Sequence, residues 1–134
     1  MAEDARADLD ETDWLILSEL QKDARLSYAE LGRIVSLSRP AVAERMRRLE
    51  GMGVIAGYRA EINLASLGYG IVAFLRISTQ GNASELLSVV RTVPEVLECH
   101  RDTGTDSFIL KIAVPSLWQL ENVVDKFVRF GQVT

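Results

Sequence analysis

Ser27-Tyr28-Ala29-Glu30-Leu31-Gly32-Arg33-Ile34-Val35-Ser36-Leu37-Ser38-Arg39-Pro40-Ala41-Val42-Ala43-Glu44-Arg45-Met46-Arg47-Arg48-Leu49 spells two helices with a turn between them. Ser27 and Glu30 have the spacing of a capping box, in which each side chain accepts from the other residue's backbone N–H. Leu31, Ile34 and Val35 then repeat on one face for about two turns, and a helix that short needs neighbours to hold it. The pattern breaks at Ser36-Leu37. Ser38 stands where the next cap belongs, and Pro40 falls in the first turn, where its missing N–H does no harm. Val42, Met46 and Leu49 lie within about 60° of one another on a 3.6-residue wheel and mark the buried stripe. Pro40, Ala43, Glu44 and Arg47 take the opposite side, flanked by Ala41 and Arg48, and the helix ends near Gly51-Met52-Gly53. A short helix, a tight turn and a second helix with a polar, basic outer face make a helix-turn-helix. In that motif the second helix enters the DNA major groove, with its N-terminal residues nearest the base edges. Short helix pairs also occur in proteins that touch no DNA, so spacing alone leaves both readings open.

Upstream, Asp10 can cap a further helix, with Asp13 in its first turn near the positive end of the helix dipole. Ile16, Leu17 and Leu20 supply that helix's apolar stripe, which fades at Lys22-Asp23-Ala24-Arg25. The net charge of −4 over 134 residues is unlike that of a nucleic-acid binder, but binding depends on the local field over a surface. From Arg33 to Arg59 six arginines (33, 39, 45, 47, 48 and 59) face two acids, Glu44 and Glu50, a local charge of 6 − 2 = +4. A basic DNA-reading face and a merely solvated helix face both fit that count.

Several function classes drop out on composition. No apolar run reaches the roughly 18 residues of a membrane span. Residues 1–8 are acidic and lack the apolar core of a secretory signal. A single cysteine, Cys99, allows no intramolecular disulfide and suits a reducing compartment. With His100 as the only histidine, a zinc site of four N/S ligands cannot form within one chain. The expectation is a cytoplasmic protein without membrane contact, metal or cofactor.

Beyond Gly57 the period changes. Residues 58–70 read as a linker, with a strand leaving the helical part and a turn at Leu67-Gly68. Strands are expected at 71–77, 96–101 and 108–114. A helix over 83–90 has Asn82 as its cap. Ser116 caps a last helix carrying Leu117, Leu120, Val123, Val124, Phe127 and Val128, and Gly131 opens a fourth strand. The succession β-α-β-β-α-β is the ferredoxin-like arrangement, an antiparallel sheet with helices on one face. Its open face must be covered, and pairing two such sheets would do so. The expected architecture is therefore α+β. Residues 1–57 form a three-helix, winged-helix-like helix-turn-helix domain, and residues 71–134 a ferredoxin-like domain.

Other signals are weaker. Cys99-His100 could suggest a nucleophile and its base, but adjacent strand residues point to opposite faces. Gly68-Tyr69-Gly70 lacks the third glycine and following helix of a dinucleotide site. Trp14 and Trp118 lie in helical patterns and read as core or interface. No complete catalytic set is present.

The residues Leu9-Asp10-Glu11-Thr12-Asp13 with 16–25, then 37–50 followed by 53–58, and finally Pro94-Glu95-Val96 and 103–108, resemble the Lrp/AsnC (feast/famine) regulators in order and interval over nearly the whole chain. The resemblance implies a sequence-specific DNA-binding transcriptional regulator. Its C-terminal domain would dimerise through the sheet, assemble further as a homo-oligomer, and bind an amino acid or related small molecule between subunits. Carried onto this sequence, it places Ser38, Arg39, Pro40 and Glu44 near base edges. Arg47 and Arg48 fall at phosphates, with Ser27 and Tyr28 beside them. Arg45 lies nearer the buried face, suited equally to an ion pair or a phosphate. Thr103, Gly104, Thr105, Asp106 and Ser107 become the effector loop, although Gly and Asp would equally make a plain hairpin turn there. Three departures stand out. The family commonly has glycine at the turn position of Ser36, where serine costs a few tenths to about 1 kcal/mol if φ is positive. The commoner family loop also carries its acid at the position of Ser107 rather than Asp106. Relatives usually continue past Thr134, so the last strand reads as incomplete. Two alternatives share the architecture: an enzyme resembling the siroheme decarboxylases, with His100 as proton donor, and a sensing or assembly partner that no longer touches DNA.

Overall fold

Each N-terminal helix begins at the cap its sequence offers. Helix α1 (Glu11–Lys22) starts from Asp10, whose Oδ1 accepts from the Asp13 N–H at 2.8 Å while Asp13 Oδ2 accepts from the Asp10 N–H at 3.2 Å. Helix α2 (Tyr28–Val35) has the reciprocal Ser27–Glu30 box, at 3.1 and 2.7 Å. Helix α3 (Arg39–Gly51) starts from Ser38, whose Oγ accepts from the Ala41 N–H, with Pro40 in the first turn. The computed structural model of the chain describes residues 7–79, 81, 83–104 and 107–134, and it separates into two units, Met1–Ala60 and Glu61–Thr134.

The turn joining α2 to α3 is tight. Ser36 takes the left-handed conformation, φ 57° and ψ 44°, which a side chain adopts at a cost. The Leu37 N–H then donates to the Gly32 carbonyl at 2.9 Å. A Cβ on Gly32 would stand 2.5 Å from the Leu37 carbonyl oxygen, so a glycine is required for that approach. Ile16, Leu31, Val42, Met46 and Leu49 form the buried centre of this unit.

One expectation for these helices fails, and one is narrowed: of core or interface, Trp14 is not core. Ile34 is exposed rather than part of the α2 stripe. It lies about 100° round the helix from Val35, and only the Leu31–Val35 side meets the core. Trp14 is 55% exposed, because the inward position beside it belongs to Asp13, which is completely buried.

The second unit holds strand β1 (Ile71–Thr79), helix α4 (Ala83–Val90), strands β2 (Val96–Arg101) and β3 (Ser107–Val114), helix α5 (Leu117–Asp125) and strand β4 (Gly131–Val133). The sheet order is β2-β3-β1-β4 with every pairing antiparallel, the ferredoxin-like arrangement expected from the sequence. Along β1 the side chains alternate. Leu75 and Ile77 point into a core with Leu86, Phe108, Leu110, Ile112, Val123 and Phe127, while Val72 and Phe74 point out, Phe74 64% exposed. Gly131 lets β4 approach: with φ 151°, a Cβ there would stand 1.9 Å from the Ser78 carbonyl oxygen.

The linker differs from expectation. Residues 58–70 contain no strand; they hold a single turn of 3-10 helix, Ala65–Leu67, which Asn63 supports by accepting from the Ser66 N–H at 3.1 Å. A strand needs a neighbouring backbone to pair with, and residues 58–63 have none among the described residues. The Leu67-Gly68 turn is present, with Gly68 at φ 91°. Helix α5 ends at Asp125, so Phe127 reaches the core from the following turn and Val128 is exposed. Trp118, like Trp14, is no core residue, being 69% exposed. The Asn82 cap lies outside the described residues. Among the described residues no helix is long and apolar enough to cross a membrane.

Candidate nucleic-acid interface and effector loop

Helix α3 buries Val42, Met46 and Leu49 and therefore presents Pro40, Glu44 and Arg47 to solvent on the other side, while Arg39 is exposed in its first turn. Pro40, Glu44 and Arg47 recur at intervals of four and three, so their side chains form one stripe from the start of the helix. Ser38 is exposed at the head of the stripe with its hydroxyl engaged as the cap. Ser27 and Tyr28, at the start of α2, are exposed as well. The free N–H groups at a helix start suit phosphate oxygens. Glu30, in the same first turn, has its carboxyl held below the usual range, chiefly by the Ser27 backbone N–H.

The four arginines of α3 divide into two kinds. Arg39 has no ion-pair partner among the described residues. Arg47 pairs with Glu44 one turn back, with both side chains more than two-thirds exposed. Exposed pairs of this sort are worth between nothing and about 1 kcal/mol, so phosphate can displace the acid.

Arg45 and Arg48 turn towards α1. Arg45 Nη1 donates to both carboxylate oxygens of Asp10 at 2.7 Å and to Asp13 Oδ1 at 2.9 Å. Arg48 Nη2 donates to Asp13 Oδ2 and, more weakly at 3.4 Å, to the Asp8 carbonyl. The Arg45 guanidinium holds the Asp10 carboxyl below its ordinary range, and Asp10 in turn raises Arg45 further. Asp13 has no solvent access, and leaving a buried charge unpaired costs about 3–5 kcal/mol. Of the two roles open to Arg45, the ion pair is therefore the one formed. This pairing of α1 with α3 escaped the sequence reading, which assigned Asp13 only to the helix dipole. Its signal was an acid three residues before Ile16, on the inward face of α1, with arginines available on another helix.

The last turn of the first unit is closed by Tyr58, whose hydroxyl donates to Glu50 Oε1 at 2.8 Å. Burial and that acceptor push the phenol up to about 12.

In the second unit, Thr103 and Gly104 are exposed after β2, and the Ser107 backbone begins β3 opposite Ser78. Thr105, Asp106 and the Ser107 side chain lie outside the described residues. The loop is anchored at its first residue by an ion pair between Asp102 and Arg76, which the sequence reading did not anticipate; Arg76 holds the Asp102 carboxyl below its ordinary range. On β2, Cys99 packs towards the core, where burial pushes its thiol up. His100 lies on the other face, 2.9 Å from Glu98 Oε2, and Glu98 also accepts from Lys111. The two neighbours are thus separated by the sheet, with no nucleophile–base contact.

Two family models match the chain. Residues 9–50 match the AsnC-type helix-turn-helix domain and residues 72–134 the Lrp/AsnC ligand binding domain. The chain is 36% identical to the HTH-type transcriptional regulator LrpC of Bacillus subtilis, over 92% of this chain and 87% of that protein. It is 39% identical to the leucine-responsive regulatory protein of Escherichia coli K12, over 82% and 70%. The solved structure of B. subtilis LrpC superposes with a TM-score of 0.87 at 34% identity, covering 96% of this chain and 92% of that one. A transcriptional regulator from Neisseria meningitidis, solved in complex with L-methionine, superposes with a TM-score of 0.83 at 31% identity, covering 94% and 84%.

Proposed function

The chain belongs to the Lrp/AsnC family of transcriptional regulators, and from that premise we propose a homodimeric or larger cytoplasmic regulator that reads DNA with α3 and is modulated by an amino acid or related small molecule. The observation that carries the reading is the exposed stripe of α3, a polar and basic face set on a rigid three-helix core. Residues 1–57 bind DNA, residues 58–70 connect, and residues 71–134 sense and assemble. With α3 in the major groove, Ser38, Arg39, Pro40 and Glu44 approach the base edges, where Glu44 can accept from a cytosine amino group. Arg47 exchanges Glu44 for a phosphate, and Ser27 and Tyr28 at the start of α2 flank a second one.

The effector site is the loop 103–107. The structural relative with L-methionine supports an amino acid as the ligand class. Backbone N–H groups of such a loop can meet the ligand's carboxylate, and Asp106 its ammonium. The exposed Val72–Phe74 side of the sheet supplies the dimer contact.

The test is a titration of fragments from around the protein's own promoter, at two salt concentrations, with and without L-methionine and pooled amino acids. Saturable, fragment-selective binding that weakens steeply with salt is expected, together with a shift on adding an amino acid. A folded protein that binds every fragment equally or none would overturn the DNA-reading part. Selective binding indifferent to every amino acid would overturn the sensing part.

A further inference from the structure

We infer that Asp13 is a positioning residue that, together with Asp10, cancels the charge of Arg45 and Arg48 and fixes them against α1, leaving phosphate binding by α3 to Arg47. This rests on the DNA-binding reading above and refines it.

The geometry leaves little alternative for the Asp13 carboxylate. Oδ1 accepts from Arg45; Oδ2 accepts from Arg48 and from the Asp10 backbone N–H; and no water can reach either oxygen. A phosphate drawing Arg48 away would take one of the two cations from a buried carboxylate that water cannot reach, whereas a phosphate drawing Arg47 away leaves only an exposed Glu44 that water solvates. Three of the four arginines of α3, Arg45, Arg47 and Arg48, therefore face three acids at ion-pair distance, Asp10, Asp13 and Glu44, and the four keep a balance of 4 − 3 = +1. The basic segment counted from the sequence is thus close to neutral at its inner edge. Sequence-independent affinity depends on how many phosphates are neutralised, so this arrangement keeps general adhesion to DNA low and gives the base-facing residues a larger share of the binding. The same ion pairs set the orientation of α3 relative to α1, which decides where Ser38, Arg39 and Glu44 point.

The experiment measures the salt dependence of binding by the full chain to a random-sequence duplex, for the wild type, Asp13→Asn, Arg48→Gln and Arg47→Gln. Asp13→Asn, which keeps the shape and removes the charge, is expected to bind the random duplex more tightly. Its slope of log affinity against log salt should steepen by about 0.9 for each arginine released, roughly a further threefold change over a fourfold range of salt. Arg48→Gln is expected to lower the slope far less than Arg47→Gln. A residue that only stabilised the fold would move the melting temperature and leave these slopes alone. A folded Asp13→Asn with an unchanged or shallower slope overturns the inference. So does an Arg48→Gln slope that falls as far as that of Arg47→Gln, and this second comparison decides the matter if Asp13→Asn does not fold. A wild type that binds no duplex overturns the DNA-binding reading itself, a result distinct from a slope that fails to move.

Discussion

At the scale of single residues, Ser36 carries a cost that its neighbours impose. The end of α2 at Val35 and the cap at Ser38 leave only two residues to turn the chain, and the Leu37 N–H reaches back to Gly32, which holds Ser36 in the left-handed region. Glycine meets no Cβ penalty there, so Ser36→Gly is expected to stabilise the chain by up to about 1 kcal/mol. Urea unfolding with and without the substitution measures it; a lower midpoint would mean that the serine side chain contributes something the turn needs. Gly32 is the converse case, since its missing Cβ makes room for the Leu37 carbonyl. The turn was legible because caps and proline act within a few residues of where they stand. Asp13 was not, because its partners lie 32 and 35 positions away and meet it only when α1 packs on α3.

At the scale of elements, the cap at Ser27 and the Arg45 pair at Asp10 link stability to acidity. The carboxyls of Glu30 and Asp10 lie below their ordinary values of 4.5 and 3.8 in the folded chain. A carboxyl depressed by folding adds stability above its unfolded value, and that contribution is lost as pH falls through the folded one. The melting temperature of the helical unit should therefore drop as pH is lowered past 4.5 and below 3.8. Glu30→Gln should lose part of that dependence, while Ser27→Ala should cost about 1 kcal/mol at neutral pH. A wild type and a Glu30→Gln variant with parallel pH profiles would count against the box as the source. The helices and strands themselves were legible wherever a periodic stripe ran between caps or turns. Two stretches were not: residues 58–63, whose strand character needs a partner backbone, and the end of α5, where Phe127 keeps the apolar rhythm from beyond the last helical turn.

At the scale of the whole molecule, the outer face of the sheet is the unfinished surface. Phe74 and Val72 stand out from it among Arg76, Glu98, His100 and Lys111, with α4 and α5 packed on the other side. Phe74→Glu should shift the sedimentation distribution towards monomer with little change in far-ultraviolet dichroism, because the side chain contributes nothing to the protomer's own core; unchanged association would place the dimer contact elsewhere. The strand order was readable from the succession of elements, whereas the number of subunits was not, since it depends on surfaces that meet only between copies. The two exposed tryptophans, Trp14 in the first unit and Trp118 in the second, make the chain its own pair of optical probes. Both should emit at long wavelength and be quenched readily by iodide. With Trp118→Phe the remaining fluorescence follows the DNA-reading unit alone, and with Trp14→Phe the sensing unit alone. One protein then reports, by colour and lifetime, which half responds first when a duplex or an amino acid is added.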